Sequence, residues 1–423
     1  MRLSLVLALI FNLAALVFAG PAVKGATLVI YDPKLSKLSD YDNFVKSLDD
    51  VKAVEIGSSD IALFINGIRM FENLVILPSK VRSISPHVGV KELVEYVNDG
   101  GNLFGVTSSA GAQLDLEKFL GEVGIYTNAK FKLFDHFNED STKEGSVLIK
   151  DPEFQNKIVV PSSVDQISYS GSAALLSNSE YLIPILKAPK TSYTYNAAIG
   201  PVGSDSVWTS GDQGYLIVSF QALNNARVTW LGDDNLIKDS KYDNLAKDLV
   251  SWTFQYRGVI KSVSTSHENV VTGLESYKVK DFAKYEIEIS QWSSEENTWV
   301  PFEADDVQVE FIMLDPYQRV NANVTSSDEE KTLFTAVFQI PDQHGMFTFS
   351  VDYKRPGLSF IDEKIVVPVR HLANDEYPRS WEITNSWVYL TSAVAVIIVW
   401  FAFVTVFIFS GKAPLVEDGK KKN

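Results

Sequence analysis

The apolar positions in the first half of the chain form short runs separated by amphipathic stretches. Runs such as ATLVIYD and NLVILPS predict buried strands, and stretches such as VKELVEYVNDGG predict helices closed by glycine. Strands alternating with helices favour a layered α/β domain with a largely parallel sheet. Near its end, Asn224-Asn225 tolerates the backbone of a tight hairpin turn. The elements predicted here are strands over 26–32, 73–79 and 102–108 and helices over 90–101, 112–124 and 241–258.

After Gly258 the apolar residues recur at every second position. Such alternation is typical of strands with one buried face, and no stretch in this part predicts a helix. Five or six strands of this kind predict a β-sandwich. The polar stretch KSVSTSHEN (261–269) lacks a pattern, and we expect the boundary between the two domains there. The predicted strands lie within 285–292, 299–314, 332–340, 345–355 and 363–370.

The longest late apolar run is Trp387–Phe409, which contains 23 residues and no charged side chain. As an α-helix it extends about 34 Å, slightly more than the roughly 30 Å hydrocarbon core of a bilayer. Trp387 and Tyr389 lie at one end of the run, where amphipathic rings suit the headgroup region. The run therefore predicts one transmembrane helix.

The N-terminal segment predicts the orientation of that helix. Arg2 precedes the apolar run Leu3–Phe18, and Ala19 ends a cleavage-site pattern, with Ala22 and Gly25 as alternative cleavage positions. A cleaved signal peptide followed by one late span makes a type I membrane protein, and the lysines of the tail agree with the positive-inside bias. An uncleaved anchor is the alternative. The predicted divisions are a signal peptide over 1–19, a lumenal α/β domain over 26–257, a lumenal β-sandwich over 270–372, a connector over 373–386, the helix over 387–409 and a cytosolic tail over 410–423.

Charge and composition exclude several classes of function. The net charge is −15 and the basic residues cluster only in the tail, which argues against a nucleic-acid partner. The chain has no cysteine, which excludes thiol nucleophiles and Cys-ligated zinc and leaves a secretory-pathway fold to rely on core burial alone. The five histidines are scattered without an i, i+4 pair, so the sequence predicts neither a metal site nor a cofactor.

Ser109 is the candidate catalytic nucleophile. It follows a predicted strand and has Gly111 at +2, as in a nucleophile elbow, but Thr107 stands at −2 where the elbow has glycine. A triad also needs a base, and His136 can be proposed although nothing in the sequence places it nearby. We favour the alternative, a tight turn in which Ser caps a helix N-terminus.

Acidic pairs and aromatic residues give two weaker candidates. Asp233-Asp234-Asn235 and Asp305-Asp306 could hold a cation, but neighbouring acids in polar loops are usually solvated turn or cap residues. Trp292, Trp299 and Phe302 could line a carbohydrate surface. In an alternating sandwich they are expected in the core instead.

Two short motifs predict modification and sorting. Asn323-Val324-Thr325 is the only Asn-x-Ser/Thr sequon, lies in a polar stretch that we expect to be a loop, and predicts glycosylation of Asn323. Lys420 and Lys421 stand at −4 and −3 from Asn423, the spacing of a dilysine retrieval signal of the endoplasmic reticulum. A solubilising charge run beside anionic lipid is the alternative.

The whole chain resembles the 48 kDa (beta) subunit family of the eukaryotic oligosaccharyltransferase complex. The late span and the dilysine end add to the resemblance, and the order and spacing of its motifs make it specific. The motifs are GGNLFGVTSSAG (100–111), ARVTWLGDD (226–234), LVSWTFQYRGVIK (249–261), WVPFEADDVQVEFIMLDPY (299–317) and GMFTFSVDYKRPG (345–357).

The resemblance implies a non-catalytic, structural subunit of the enzyme that transfers a preassembled glycan from dolichyl pyrophosphate to Asn of Asn-x-Ser/Thr sequons. Its implied partners are the other subunits, including the multispanning catalytic one, in the endoplasmic-reticulum membrane, with the dolichol-linked glycan as a further contact. The resemblance also implies an N-terminal domain like the class I glutamine amidotransferases. The position of their nucleophilic Cys falls within Val106–Ala110, which holds only Val, Thr, Ser and Ala, so that activity is not expected.

The residues of the span fit this role, because a helix without a carboxylate cannot build an acid-lined transfer site by itself. Two alternatives are an independent lumenal serine hydrolase that uses Ser109 and an early-secretory cargo receptor. Cargo receptors usually carry aromatic export signals in the tail, and Gly411–Asn423 has none.

The predicted span has two different faces. At 100° per residue, the small and β-branched side chains fall within an arc of about 80°, and the aromatic side chains lie on the opposite side. Helices in lipid associate through close approach across small residues, so we expect the first face to dock onto another subunit. The docking face comprises Thr391, Ala395, Ile398, Ala402 and Thr405, and the aromatic face comprises Tyr389, Trp400, Phe403 and Phe407.

Overall fold

The computed structural model describes residues 25–58, 61–108, 111, 114–128, 130–140, 143, 145–200, 207–377 and 385–411. These residues form an α/β part, a pair of β-sheets and one long apolar helix. The predicted signal peptide, the tail beyond Gly411 and part of the connector, 378–384, lie outside the described residues.

The α/β part contains the predicted strands and helices, most of them slightly shorter than expected, together with short strands between residues 125 and 210 that the pattern does not predict. Its helices are α1 (Asp42–Lys46), α2 (Val90–Asn98), α3 (Leu114–Glu122), α4 (Asn235–Lys238) and α5 (Asp243–Thr253), with 3-10 turns at Leu38–Tyr41, Gly211–Gln213 and Ser240–Tyr242. Its strands are β1 (Thr27–Tyr31), β2 (Val51–Glu55), β3 (Phe64–Ile65), β4 (Ile68–Arg69), β5 (Asn73–Ile76), β6 (Asn102–Val106), β7 (Ile125–Tyr126), β8 (Phe131–Phe134), β9 (Val147–Lys150), β10 (Gln166–Tyr169), β11 (Leu175–Leu176), β12 (Leu182–Lys187), β13 (Tyr193–Asn196), β14 (Val207–Ser210), β15 (Tyr215–Gln221) and β16 (Arg227–Leu231).

A seven-stranded sheet in the order β12-β15-β16-β6-β5-β1-β2 forms the centre of this part. Neighbouring strands from β2 to β16 are parallel, whereas β15 pairs antiparallel with both β16 and β12. The hairpin between β15 and β16 turns at Asn225, whose φ is positive at 66°. The prediction of a largely parallel sheet is therefore confirmed.

Both faces of the sheet are buried, which explains why β5 and β6 are apolar after their first residues, Asn73 and Asn102. Because side chains alternate along a strand, Val29 and Phe104 belong to one apolar cluster with residues of α1 and α5. Leu28 and Leu103 belong to a second cluster with residues of α2 and α3 on the other face. Apolar burial stabilises a fold by roughly 25 cal/mol per Å², and this chain has no disulfide to add to it.

The next part is strand-rich, as the alternation predicts. One sheet has the order β17-β19-β24-β23, with β20 paired to β19, and the other has the order β18-β26-β25-β21-β22. Alternate residues such as Tyr285, Ile287, Phe311 and Phe349 fill the core between them. The strands are β17 (Ile260–Asn269), β18 (Tyr277–Lys278), β19 (Phe282–Ser293), β20 (Thr298–Pro301), β21 (Gln308–Ile312), β22 (Pro316–Asn321), β23 (Asn323–Ser327), β24 (Thr332–Gln339), β25 (Gly345–Tyr353) and β26 (Ile361–Arg370).

The polar stretch 261–269, predicted to be an unpatterned boundary, is a strand instead. It forms nearly all of β17, which pairs with β19 from Ile260 opposite Gln291 to Asn269 opposite Ala283. Because β17 is the edge strand of its sheet, its middle residues are exposed or only partly buried and need no apolar alternation. The sandwich therefore starts at Ile260.

The predicted span is the helix α6 (Ser386–Ser410), which contains 25 residues. It is the only helix among the described residues that is long and apolar enough to cross a membrane, and none of its hydrophobic window is buried against the rest of the chain. An apolar helix that the protein itself leaves uncovered suits a lipid environment.

A fully buried arginine connects the α/β part to the sandwich. Arg227 at the start of β16 donates from Nη1 to the carbonyl oxygens of Trp252 (2.7 Å) and Arg257 (2.6 Å). Its Nη2 donates to the carbonyl oxygen of Gly258 (2.7 Å) and to the hydroxyl of Ser359 (3.2 Å). Burial lowers the pKa of this guanidinium to about 9, so it remains charged at neutral pH. It thus binds the end of one part and a loop of the other.

The loop 356–360 between β25 and β26 is the part of the sandwich that meets the α/β part. The indole Nε1 of Trp252 donates to the carbonyl oxygen of Gly357 at 2.8 Å. The side-chain oxygen of Asn225 accepts from the backbone N–H of Phe360 at 2.6 Å. We call these residues, together with Arg227 and its partners, the junction.

Glycine is required at two positions of the junction. Gly258 and Gly357 both have positive φ values, 68° and 96°. A Cβ atom on Gly258 would lie 2.3 Å from the carbonyl oxygen of Gly357, so the backbones approach too closely for a side chain.

Replacing Arg227 with Met should destabilise the protein strongly. The substitution removes four buried hydrogen bonds that the charged guanidinium donates, and we expect a loss of about 3–5 kcal/mol in the free energy of unfolding. Urea unfolding of the purified full-length chain in detergent measures this loss.

The matched control is Arg319→Met, because Arg319 is exposed and forms a surface ion pair with Glu310. Surface pairs contribute about 0–1 kcal/mol, so this variant should unfold close to the unchanged protein. Equal stability of the two variants would contradict the role assigned to Arg227.

Candidate functional site

Polar residues follow the parallel strands of the central sheet where these strands end. Asp32 follows β1, Ser79 lies beyond β5, Thr107 follows β6 and Asp233 lies just beyond β16. Ligands of open α/β sheets bind at this carboxyl edge, so these residues form the candidate site of the α/β part.

Asp32 is held by the chain that surrounds it. Its carboxylate accepts from the backbone N–H groups of Lys34 (2.9 Å) and Lys80 (3.0 Å) and from the hydroxyl of Ser79 (3.1 Å). Burial opposes ionisation, but these hydrogen bonds outweigh it and hold the pKa of Asp32 below its ordinary value. Asp32 is therefore an ionised carboxylate that fixes two turns.

The acids after β16 are also engaged. Asp233 accepts from the backbone N–H of Asn235 at 3.1 Å and from both the N–H and the hydroxyl of Ser170. Burial raises the pKa of Asp233 despite these hydrogen bonds. Asp234 forms an ion pair of 2.6 Å with Lys238. The pair therefore ties α4 to the loop that contains Ser170, with no carboxylate left free for a ligand.

In the second acidic pair, Asp305-Asp306, hydrogen bonds from neighbouring side chains hold one of the two carboxylates. Asp306 accepts from Nε of Arg355 at 2.6 Å and from the hydroxyl of Tyr353 at 2.9 Å, and Asp305 is exposed. Within the described part of the chain, three or more His, Cys, Asp or Glu residues nowhere gather as they would around a metal ion. Neither pair has the geometry of a cation site.

The turn after β6 contains the candidate nucleophile. β6 ends at Val106, and the described part of α3 begins at Leu114. The hydroxyl of Thr107 accepts from Nε1 of Trp230 at 3.1 Å. Ser108 is buried and pairs with Gly111 through a β-bridge. Ser109 lies outside the described residues.

The structure places the proposed base, and the expected helix cap stays a prediction. Residues 109, 110, 112 and 113 lie outside the described residues, and the described part of the helix begins at Leu114. His136 is exposed in a turn after β8, which belongs to a separate three-stranded sheet. The structure therefore adds no contact that supports a serine hydrolase.

The three aromatic residues of the sandwich lie mostly in its interior. Trp292 and Phe302 are buried, and Trp299 is partly exposed. The ring of Trp299 is covered by the ammonium group of Lys261, 3.8 Å from its centroid. These contacts leave no open platform of rings on which a sugar could stack.

Asn323 lies in a strand and not in the predicted loop. It begins β23, the edge strand of its sheet, where all residues from Asn323 to Ser327 are exposed. A loop was expected because the residues are polar, but an edge strand with two solvated faces is polar as well. The side chain is accessible, and glycosylation of Asn323 stays a prediction.

The docking face of the helix is exposed along its whole length, as is the aromatic face. The hydroxyl of Thr391 donates to the carbonyl oxygen of Val388 (2.9 Å), and that of Thr405 donates to that of Phe401 (2.7 Å). Both hydroxyls are therefore satisfied within the helix, and docking of this face onto another subunit stays a prediction. Lys420 and Lys421 lie outside the described residues.

The junction is the feature that the pattern does not predict. Its signal in the sequence is a single arginine within the apolar strand ARVTWLG, since an arginine is almost never fully buried without partners. The partners of Arg227 come from up to 132 positions away, so the sequence could indicate the arginine but not what it binds.

Two family models match the chain. One, described as "OST48, N-terminal domain", matches residues 19–256, and the other, described as "OST48 middle domain", matches residues 263–411. A solved putative ThuA-like protein from Parabacteroides merdae covers 55% of this chain and 90% of that one, at 12% identity and a TM-score of 0.32. A likeness that weak does not establish a shared fold.

Several curated proteins are similar over nearly the full length. The WBP1 subunit of the dolichyl-diphosphooligosaccharide–protein glycosyltransferase of Saccharomyces cerevisiae is 37% identical, with 94% of each chain covered. The wbp1 subunit of Schizosaccharomyces pombe is 33% identical, covering 90% of this chain and 92% of that one. The 48 kDa subunit of Danio rerio is 27% identical, covering 93% of this chain and 94% of that one. The chain belongs to the OST48 family.

Proposed function

We propose that this chain is a non-catalytic, structural subunit of the dolichyl-diphosphooligosaccharide–protein glycosyltransferase, and that it acts in protein N-glycosylation in the endoplasmic-reticulum membrane. The observation that carries the proposal is the similarity to named subunits of that enzyme over at least 90% of this chain. Other subunits of the complex are its partners, among them a multispanning subunit that performs the transfer.

The chemistry of the chain supports a structural role. The one long apolar helix among the described residues contains no carboxylate, so it offers no ligand for a metal-assisted transfer site within the membrane. The acids Asp32, Asp233 and Asp234 at the carboxyl edge of the sheet are held by protein donors. We infer that the α/β part is a relative of the class I glutamine amidotransferases, in which Thr and Ser stand where those enzymes have their nucleophilic Cys.

The proposed topology places the α/β part and the sandwich in the lumen and the tail in the cytosol. The apolar segment over 1–19 supports entry into the secretory pathway, and the lysines beyond α6 support a cytosolic tail. Lys420 and Lys421 are proposed as a retrieval signal, and Asn323 as a glycosylation site on the lumenal side.

Isolation of the tagged full-length chain in a mild detergent tests the proposed function. A multispanning glycosyltransferase subunit should co-isolate with it. Ala402→Phe should weaken this co-isolation, because a bulky ring prevents close approach across the docking face of α6.

Phe403→Leu is the matched control, because Phe403 belongs to the aromatic face, which we expect to contact lipid. Co-isolation should be unchanged in this variant. Absence of any glycosyltransferase subunit would contradict the proposed function, whereas equal tolerance of both substitutions would mean that the lumenal parts alone provide the contacts.

Protease treatment of intact microsomes tests the topology. Only the short tail should be removed, and an endoglycosidase should shift the protected fragment by one glycan. Asn323→Gln should abolish the shift, whereas Thr325→Ser preserves the sequon and should retain it. Digestion of the large fragment in intact vesicles would overturn the topology, and an unshifted band would overturn only the glycan at Asn323.

Substitution of the serines after β6 tests the hydrolase alternative. Ser108→Ala and Ser109→Ala should each cost about 1 kcal/mol of stability at most and leave glycosylation of reporter sequons intact. Thr107→Ala is a useful comparison, since it removes the acceptor for Trp230 and should destabilise the fold without a specific effect on activity. A large loss of transfer activity in an assembled Ser109→Ala complex would identify a nucleophile.

A further inference from the structure

Hydrogen bonds and ion pairs hold the segment by which the chain leaves the sandwich. After β26 ends, the carboxylate of Glu376 accepts from both terminal nitrogens of Arg370, at 2.8 and 2.9 Å. Lys278 pairs with the same carboxylate at 2.9 Å, and the backbone N–H of Ala373 donates to it at 2.8 Å. These contacts fix the start of the connector to one end of the sandwich.

That end of the sandwich must lie near the bilayer. From Tyr377 to Asn385, the residue before α6, the chain takes eight steps, which reach at most about 28 Å when fully extended. Trp387 and Tyr389 at the start of α6 are the residue types that occupy the membrane interface. This end of the sandwich therefore lies within about 28 Å of the start of α6.

The strand register identifies which loops share this end. Tyr277 and Gly345 both pair with Val369, the residue before the last of β26. The turn between β17 and β18 is therefore beside the connector, and so is the loop before β25. The turn between β21 and β22 is close too, because the methyl carbon of Met313 lies 2.9 Å from where a Cβ of Gly345 would be.

Two of these turns expose large apolar side chains. Val271 is 82% exposed and Leu314 is 92% exposed, and Val270 and Leu274 are also more than half exposed. We call the turns 270–274 and 313–315 the apolar tips. Soluble surfaces rarely concentrate such residues at the ends of protruding turns, and such concentrations mark sites of contact.

The first tip is built to expose these side chains. The buried Asn269 accepts, through its side-chain oxygen, from the backbone N–H groups of Val271 (2.9 Å) and Thr272 (3.3 Å). Its amide donates to the carboxylate of Asp281 at 2.7 Å. Gly273, at a φ of 65°, donates its N–H to the carbonyl oxygen of Asn269 at 2.8 Å. A turn closed in this way holds Val271 outward, where water alone gives it no favourable contact.

The cations at this end are paired with acids. Lys278 and Arg370 are paired with Glu376, and Lys280 forms an ion pair of 2.8 Å with Asp342. Glu275, Asp315 and Asp375 add further negative charge. Attraction to anionic headgroups therefore does not explain the exposed surface, and the apolar side chains are left as the means of contact.

We propose that the apolar tips enter the interfacial region of the bilayer that α6 spans. Val271 and Leu314 contact the boundary between headgroups and acyl chains, and the sandwich is then held to the membrane at points beyond its covalent anchor. The proposal rests on the proposed membrane anchoring of the chain, but it requires no other subunit and no anionic lipid.

The absence of cysteine makes a direct test possible, since an introduced cysteine is the only one in the chain. Val271→Cys and Leu314→Cys are each labelled with an environment-sensitive fluorophore in the full-length protein, reconstituted in phosphatidylcholine nanodiscs. We expect a blue-shifted emission, quenching by spin-labelled phosphatidylcholine and protection from aqueous iodide at both positions.

Val263→Cys is the matched control. Val263 is an exposed valine of β17, eight residues before Val271 and about 26 Å back along the strand. Its label should be quenched by iodide and not by the spin-labelled lipid. All three substitutions are at exposed positions, so the fold should be retained, and an unchanged unfolding transition verifies this.

The other possible results of the labelling experiment each contradict a specific part of the proposal. A label at Val271 that is as accessible to iodide as the label at Val263 would refute insertion of the first tip. Protection from iodide without quenching by the lipid probe would mean that protein, another copy of the chain, covers the tip, and would also refute the proposal. A chain that fails to co-isolate with the nanodiscs would refute the membrane anchoring itself, and with it the tips.

Discussion

The burial of one guanidinium group is the constraint on which the arrangement of the α/β part and the sandwich depends. A buried guanidinium needs hydrogen-bond partners, and the two terminal nitrogens of Arg227 donate four hydrogen bonds to the end of the α/β part and the loop that contains Ser359. No carboxylate is among these partners, so the charge is stabilised by backbone dipoles and by the ring of Trp252, 4.5 Å away. Separating the two parts would remove Ser359 from Nη2 of Arg227 and expose the buried charge to water.

The sandwich is thereby given two different ends. One end presents the loop 356–360 to the α/β part through hydrogen bonds from Trp252 and to Asn225. The opposite end presents Glu376, its cationic partners and the apolar tips, and leads to α6. Among the described residues, hydrogen bonds and ion pairs therefore hold the chain at both ends of the sandwich.

The carboxyl edge of the central sheet is the position where an enzyme of this architecture would bind its ligand. In this chain, the acids at that edge form hydrogen bonds that stabilise the fold. Asp32 joins two turns, Asp233 joins the loop at Ser170 to α4, and each accepts at least two hydrogen bonds from backbone N–H groups. A site whose acceptors are already satisfied gains little by binding a cation or a substrate, and this agrees with a structural role in a larger enzyme.

The sequence by itself determined the elements whose evidence is local. A run of 23 residues without a charge can satisfy its backbone in lipid only as a helix, and the apolar strands of the central sheet must be buried on both faces. The spacing of the motifs likewise identified the family.

Tertiary structure decided what depends on distant pairing. Residues 261–269 form a strand because β19 supplies the partner, Asn323 lies in a strand because β24 does, and Arg227 is buried because groups up to 132 positions away meet it. Local composition does not indicate these partners. A polar edge strand and a polar loop contain the same types of residue and differ only in whether a strand lies beside them.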